Sequence, residues 1–172
     1  RHEPTAAFRQ LELARFANAR ASVGPALGTS FAGWGASFVD LKNSGSPALV
    51  IATGAIPVTS LARGAETLRV LGPSGASFVN AAGKTPVLNG RGLAAADVDN
   101  DGRMEIAVNT IGGKLMLLRP SGPTGHWLDV KLSRFVPGAV VMAVESSGET
   151  VSATVQAGSS YLSSEDPRVH LG

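Results

Sequence analysis

Asp97-Val98-Asp99-Asn100-Asp101-Gly102, leading into Ile106-Ala107-Val108, holds the residues of this chain best suited to chemistry. Carboxylates on alternate positions turn toward one centre, and Gly102 allows the sharp backbone turn that closes such a loop. Glu105, at the ninth position, adds a carboxylate directly or through water, and Arg103, at the seventh, offers its carbonyl. Asp97, Asp99, Asp101, Arg103 and Glu105 thus form a candidate ligand set for a hard, oxygen-seeking cation, Ca2+ above all. The loop departs from the EF-hand at its twelfth position. There Val108 stands in an apolar, β-branched run where a bidentate Glu would open a helix. The exit is therefore a strand, and the site a β-hairpin loop. The competing reading is a plain Asp/Asn/Gly turn without metal, since these residues favour turns on their own.

Little else in the sequence suits catalysis. The histidines are His2, His126 and His170. His126, beside Trp127 at a strand start, reads as structural, and His170 as a terminal residue packing against Tyr161 or Pro167. Ser159, Ser160, Ser163 and Ser164 cluster, but no Gly-x-Ser-x-Gly elbow accompanies them. Asp166 before Pro167 reads as a turn residue pairing with Arg168. The Gly-x-Gly pairs at 33–35 and 90–92 precede strands, not helices, and so do not make phosphate cradles. Trp34 reads as core packing, with Trp34 and Tyr161 as contact aromatics the alternative. No catalytic residue is assigned.

Composition sets the frame that must position these groups. The chain has 172 residues, with Gly 21, Pro 10, 16% charged and 44% hydrophobic, which suits a turn-rich, strand-rich protein more than a helical bundle. Aromatics are 5%, so the core must be aliphatic. The net charge of +2 comes from scattered Lys and Arg, without the basic, aromatic-interleaved run that nucleic-acid binding needs. The cysteine count of 0 excludes disulfides, thiolate catalysis and Cys-based zinc sites. No apolar stretch is long enough to span a membrane as a helix. The sequence starts at Arg1 without a signal pattern, as expected for a processed product or a piece of something longer.

The chain repeats itself at an offset of 57 residues. Gly33-Trp34-Gly35-Ala36-Ser37-Phe38-Val39-Asp40 aligns with Gly90-Arg91-Gly92-Leu93-Ala94-Ala95-Ala96-Asp97, and Leu49-Val50-Ile51 with Ile106-Ala107-Val108. Upstream, Phe16-Ala17-Asn18-Ala19 matches Phe78-Val79-Asn80-Ala81 at an offset of 62. Each unit reads as strand, turn, short strand, loop, then Gly-x-Gly, strand, acidic turn, strand. Four short antiparallel strands per repeat predict β-propeller blades. The Gly-x-Gly pairs would let backbones crowd near a central axis, and Gly72-Pro73-Ser74-Gly75 and Asn43-Ser44-Gly45 punctuate turns. Lys42, Ser44 and Ala48 replace the acids of the first loop, leaving Asp40. Two readings stand for Lys42: its ammonium sits by Asp40 in place of the cation, or it is solvated and unpaired. Residues 5–21 carry helix formers behind a candidate N-cap, Thr5. The repeat instead predicts strands at 7–10 and 15–18, the preferred reading. After Leu115-Met116-Leu117-Leu118 the pattern stops, and 126–132, 139–144 and 150–155 alternate as strands, with a hairpin loop at 145–149.

The motifs at 33–40 and 90–102, His126-Trp127-Leu128, and Gly158-Ser159-Ser160-Tyr161-Leu162-Ser163-Ser164-Glu165-Asp166-Pro167-Arg168 follow one another in order. In this the chain resembles the C-terminal part of bacterial FG-GAP/VCBS-repeat proteins carrying an ASPIC/UnbV domain, the group similar to cartilage acidic protein 1. The resemblance implies a degenerate blade at 1–62, a blade with the calcium loop at 63–119, and an ASPIC/UnbV-like β unit at 120–172, which stops short of the family's further strands. It also implies an exported, extracellular or periplasmic, non-enzymatic, calcium-stabilised propeller acting in protein–protein contact. The family's metal positions fall on Asp97, Asp99, Asp101, Arg103 and Glu105. Two blades cannot close a propeller, and open edges invite pairing, so partner chains, a removed segment or further copies are expected. The alternatives are an accessory or enzymatic protein of a natural-product (UnbV-type) pathway and a carbohydrate-binding module.

Overall fold

The computed structural model describes residues 5–23, 25–28, 31–56, 60–75, 77–81 and 83–172. The chain is all-β, with only single turns of helix among the described residues. β1 (Phe8–Glu12) and β2 (Arg15–Asn18) form an antiparallel hairpin in place of the helix their residue types allow. Ala14 takes φ 59° at the turn, and Arg15 closes it on Glu12 at 2.9 Å.

β3 (Gly33–Val39) and β4 (Ala48–Thr53) follow, then β5 (Glu66–Thr67), β6 (Arg69–Ser74) and β7 (Ser77–Asn80). β3, β4, β6 and β7 make a four-stranded antiparallel sheet in that order. β6 extends through Pro73 to Ser74, so of the predicted turn 72–75 only Gly75 lies beyond the strand. β5 pairs with β8 (Val87–Leu88). β9 (Gly90–Ala96), β10 (Glu105–Thr110) and β11 (Met116–Leu118) form a three-stranded antiparallel sheet.

Several strand limits recur at the two offsets. β3 and β9 share their limits at the 57-residue offset, as do β4 and β10. β1 and β2 match Val70–Ser74 and β7 at the 62-residue offset. The sheets, however, run across the division at 62/63: the four-stranded sheet takes two strands from before it and two from after. A repeat fixes a period but no phase, and pairing between sequence neighbours sets the phase.

One face of β4, with Val50 and Ala52, packs against Leu93 and Ala95 of β9 and Ile106 and Val108 of β10. β3 lies beside β9, and their backbones crowd as the Gly-x-Gly pairs foretold: a Cβ on Gly35 would stand 2.7 Å from the Arg91 carbonyl oxygen. The other face of β4 sends Ile51 onto Leu71, Leu27 and Phe31. That face is only partly covered. Phe38, Leu49 and Phe78 line an open apolar groove, and Phe38 is 62% exposed.

The last segment holds β12 (Leu128–Val130), β13 (Val140–Val144), β14 (Thr150–Thr154) and β15 (Val169–Leu171). β13 and β14 form the expected hairpin, closed by the Glu145 N–H donating to the Glu149 carbonyl at 2.8 Å. The strand predicted over 126–132 shortens to β12, which pairs with β15, a strand the alternation did not reveal. Val155, Val169 and Leu171 form the centre of a small separate core. No described helix is long and apolar enough to cross a membrane.

Candidate metal centre

The β9–β10 hairpin builds the acidic loop. Ala96 pairs with Glu105, so Asp97, one step past β9, and Glu105, the first residue of β10, face each other across the loop's neck. Both side chains are buried, Asp97 at 2% exposure and Glu105 at 4%. Asp97 organises the turn: its Oδ1 accepts the Asp101 N–H at 3.1 Å and its Oδ2 the Gly102 N–H at 2.8 Å. Glu105 Oε2 accepts the Val98 N–H at 2.9 Å. Asn100 and Gly102 take the positive φ values, 59° and 84°, that let the loop reverse.

Of the five predicted ligands, the fold brings three together. One oxygen each from Asp97, Asp99 and Glu105 lies within 4.8 Å of the others. Asp101 stands outside this group, with Oδ1 accepting the Arg103 N–H at 3.0 Å. The Arg103 guanidinium donates to the Gly122 carbonyl at 2.7 Å, with its Nε 3.7 Å from Asp101 Oδ2. Among the described residues Glu105 Oε1 is buried without a hydrogen-bond partner. An oxygen-only donor set with one buried carboxylate oxygen that accepts no hydrogen bond fits a hard cation.

A residue the motif did not include adds further positive charge. Arg119, just past β11, places Nη2 2.5 Å from Asp99 Oδ2 and 2.6 Å from Asp101 Oδ2, and Nε 3.1 Å from Glu105 Oε1. Burial acts to raise the Asp101 pKa, but the Arg103 N–H and the Arg119 hydrogen bond and charge outweigh it and hold the carboxyl below its usual range.

The first loop repeats the turn without the acids. Asp40 Oδ2 accepts the N–H groups of Ser44 and Gly45 at 2.8 and 2.7 Å, and its Oδ1 the Lys42 N–H at 3.2 Å. Asn43 and Gly45 take φ 52° and 69°, matching Asn100 and Gly102. Lys42 is exposed, and among the described residues no ion pair joins its ammonium to Asp40, which corrects the first of the two readings for Lys42. Backbone N–H groups, not a side-chain cation, compensate Asp40.

Both loops are tied to the last segment. Asn43 Nδ2 donates to the Gly102 carbonyl at 2.7 Å, which turns its Oδ1 to His170 Nε2 at 2.8 Å. His170 Nδ1 meets Asp129 Oδ1 at 2.7 Å, and its ring stacks on Trp127 at 6.2 Å. His170 therefore does not pack on Tyr161 or Pro167, because the β12–β15 pairing sets it opposite Asp129. Arg168 donates to the Asp97 carbonyl and to Asn100 Oδ1, each at 2.5 Å. It also pairs with Asp166 as expected, Nη2 lying 2.6 Å from Oδ2.

The remaining candidates lie outside the acidic loop. Ser159 Oγ donates to Glu165 Oε1 at 3.1 Å, and Glu165 Oε2 accepts the Ala95 N–H. Ser163 Oγ donates to the Tyr161 carbonyl at 3.0 Å. Trp34 is half-buried, its indole N–H on the Gly54 carbonyl at 2.8 Å, with the Arg91 guanidinium 4.1 Å from its ring and Tyr161 edge-on at 5.1 Å. His126 is exposed, and His2 lies outside the described residues. A His–carboxylate pair exists at His170 and Asp129, but the far ring nitrogen faces an amide oxygen and not a nucleophile.

No protein-family model matches the chain, and no curated protein is significantly similar to it.

Proposed function

We propose that the protein is a non-enzymatic, calcium-stabilised β-propeller module of an exported protein, working in protein–protein contact as part of a larger assembly. The observation that carries this is the convergence of Asp97, Asp99 and Glu105 around a buried carboxylate oxygen that lacks a hydrogen bond. Asp97, Asp99 and Glu105 would hold the ion, with Asp101 and the Arg103 carbonyl the further oxygens of the motif. When bound, Ca2+ supplies positive charge that lets clustered acids share one turn. A loop site with one exposed ligand, Asp99 at 51%, suits the millimolar calcium found outside cells.

The sheet arrangement favours blades. β3-β4-β6-β7 has the four antiparallel strands of one blade, β9-β10-β11 three strands of the next, and β1-β2, by their match to β6-β7, the outer two of the one before. The open apolar groove on the first sheet is where a preceding blade would pack, supplied by another segment, chain or copy.

Calorimetric titration of the metal-free protein with Ca2+, with melting followed with and without EDTA, tests the reading. One equivalent of bound Ca2+ and a raised melting temperature are expected. No binding heat together with an unchanged melting temperature refutes the metal site. Sedimentation of native material as a monodisperse 17.5 kDa monomer refutes the assembly.

A further inference from the structure

Arg119 holds part of the same oxygen set that the calcium reading assigns to the ion. Its guanidinium contacts Asp99 and Glu105, two of the three converging carboxylates, and also Asp101. A calcium ion at about 2.3–2.6 Å from Asp99 and Glu105 would compete with the guanidinium for these carboxylates, through charge repulsion and through space. Arg119 is also an incomplete partner. Glu105 Oε1, in a side chain only 4% exposed, lies 3.1 Å from its Nε yet makes no hydrogen bond.

The chain carries its own comparison. Ile106 pairs with Leu118 in the second sheet as Leu49 pairs with Leu71 in the first, so the residue equivalent to Arg119 is Gly72. Where Lys42, Ser44 and Ala48 have replaced the loop's acids, the guanidinium is also missing. The cation goes with the acids.

We propose, resting on the calcium reading above, that Arg119 is a built-in counter-cation of the 97–105 loop. It holds the carboxylates together when metal is absent and is displaced when a divalent ion binds. Its presence weakens calcium binding and strengthens the metal-free fold. Two or three half-exposed ion pairs set the scale, about tenfold in affinity.

The test uses the full chain, wild type and Arg119→Met, which keeps an unbranched apolar stem without charge. Ca2+ titrations by calorimetry and melting in EDTA are compared. Arg119→Met is expected to bind Ca2+ about tenfold more tightly, to melt lower in EDTA, and to gain more from Ca2+ than wild type does. If wild type binds and Arg119→Met binds no more tightly, the counter-cation proposal is overturned while the calcium site stands. Binding by Arg119→Met alone keeps Arg119 as the loop's counter-cation but overturns its displacement and removes the calcium reading for wild type. Binding by neither overturns both. Should Arg119→Met not fold, the Arg119 Nη2–H groups of wild type, which donate to Asp99 and Asp101, give the answer by NMR hydrogen exchange: protection in EDTA must fall on saturation with Ca2+. Equal protection in both states overturns the proposal.

Discussion

Replacing Gly102 by Ala tests whether the last segment truly rests on the acidic loop. Gly102 has φ 84°, and a Cβ there would stand 2.0 Å from Trp127 Nε1 and 2.2 Å from its Cδ1. Gly138 has the same φ of 84° with nothing within 4 Å of its added Cβ, so Gly138→Ala isolates the backbone cost. That cost is about 1–2 kcal/mol for an L-residue in the left-handed region. At Gly102 the indole must leave as well. Trp127 is 41% exposed, so about 150 Å² of it is covered, worth about 2–3 kcal/mol after allowance for a compact unfolded chain. Gly102→Ala should therefore cost about 3–5 kcal/mol against about 1–2 for Gly138→Ala, read from urea denaturation followed by circular dichroism. In a Trp127→Ala background the Gly102→Ala cost should drop to the Gly138→Ala value. Equal costs at the two glycines, or no change in the Trp127→Ala background, would refute the docking of Trp127 on the loop.

Two further outcomes are expected. Asp97→Ala should lose about 2 kcal/mol even in EDTA, because it strips buried acceptors from the Asp101 and Gly102 N–H groups, whereas Asp99→Ala should stay within about 1 kcal/mol in EDTA and lose chiefly the gain conferred by Ca2+. Denaturation of both variants with and without Ca2+ decides, and equal calcium-independent losses would remove the distinction. At Asp166, burial works to raise the pKa, but the hydrogen bonds and charge of Arg168 outweigh it and hold the carboxyl below its usual range. The unfolded chain then takes up the proton first as pH falls. The stabilisation is full above the ordinary carboxylate pKa of about 3.9 and is lost as pH drops through the lower folded value. The stability gap between wild type and Asp166→Asn should shrink steadily from about pH 5 downward, and a gap indifferent to pH would contradict the pairing.

Much of this was legible in the residues. The 57-residue echo aligned the segments that become β3 and β9 and those that become β4 and β10, and in the structure the left-handed positions Asn43 and Asn100, and Gly45 and Gly102, fall at the same offset. Strand alternation, turn glycines and alternate carboxylates are local patterns, so a single chain segment displays them. The hairpin at 8–18 was legible only through the repeat, since its residue types alone favour a helix.

What the residues determined alone was which stretches become strands and which loop gathers acids. The tertiary structure decided how those strands share sheets, because a period has no phase until neighbouring strands pair. It also decided that Arg119 and Arg168 reach the acidic loop and that Asn43 and His170 link its Gly102 to Asp129. These contacts join residues up to 127 positions apart, and no local spacing records them. Three carboxylates in one turn need positive charge nearby, but only the folded geometry says which side chain brings it.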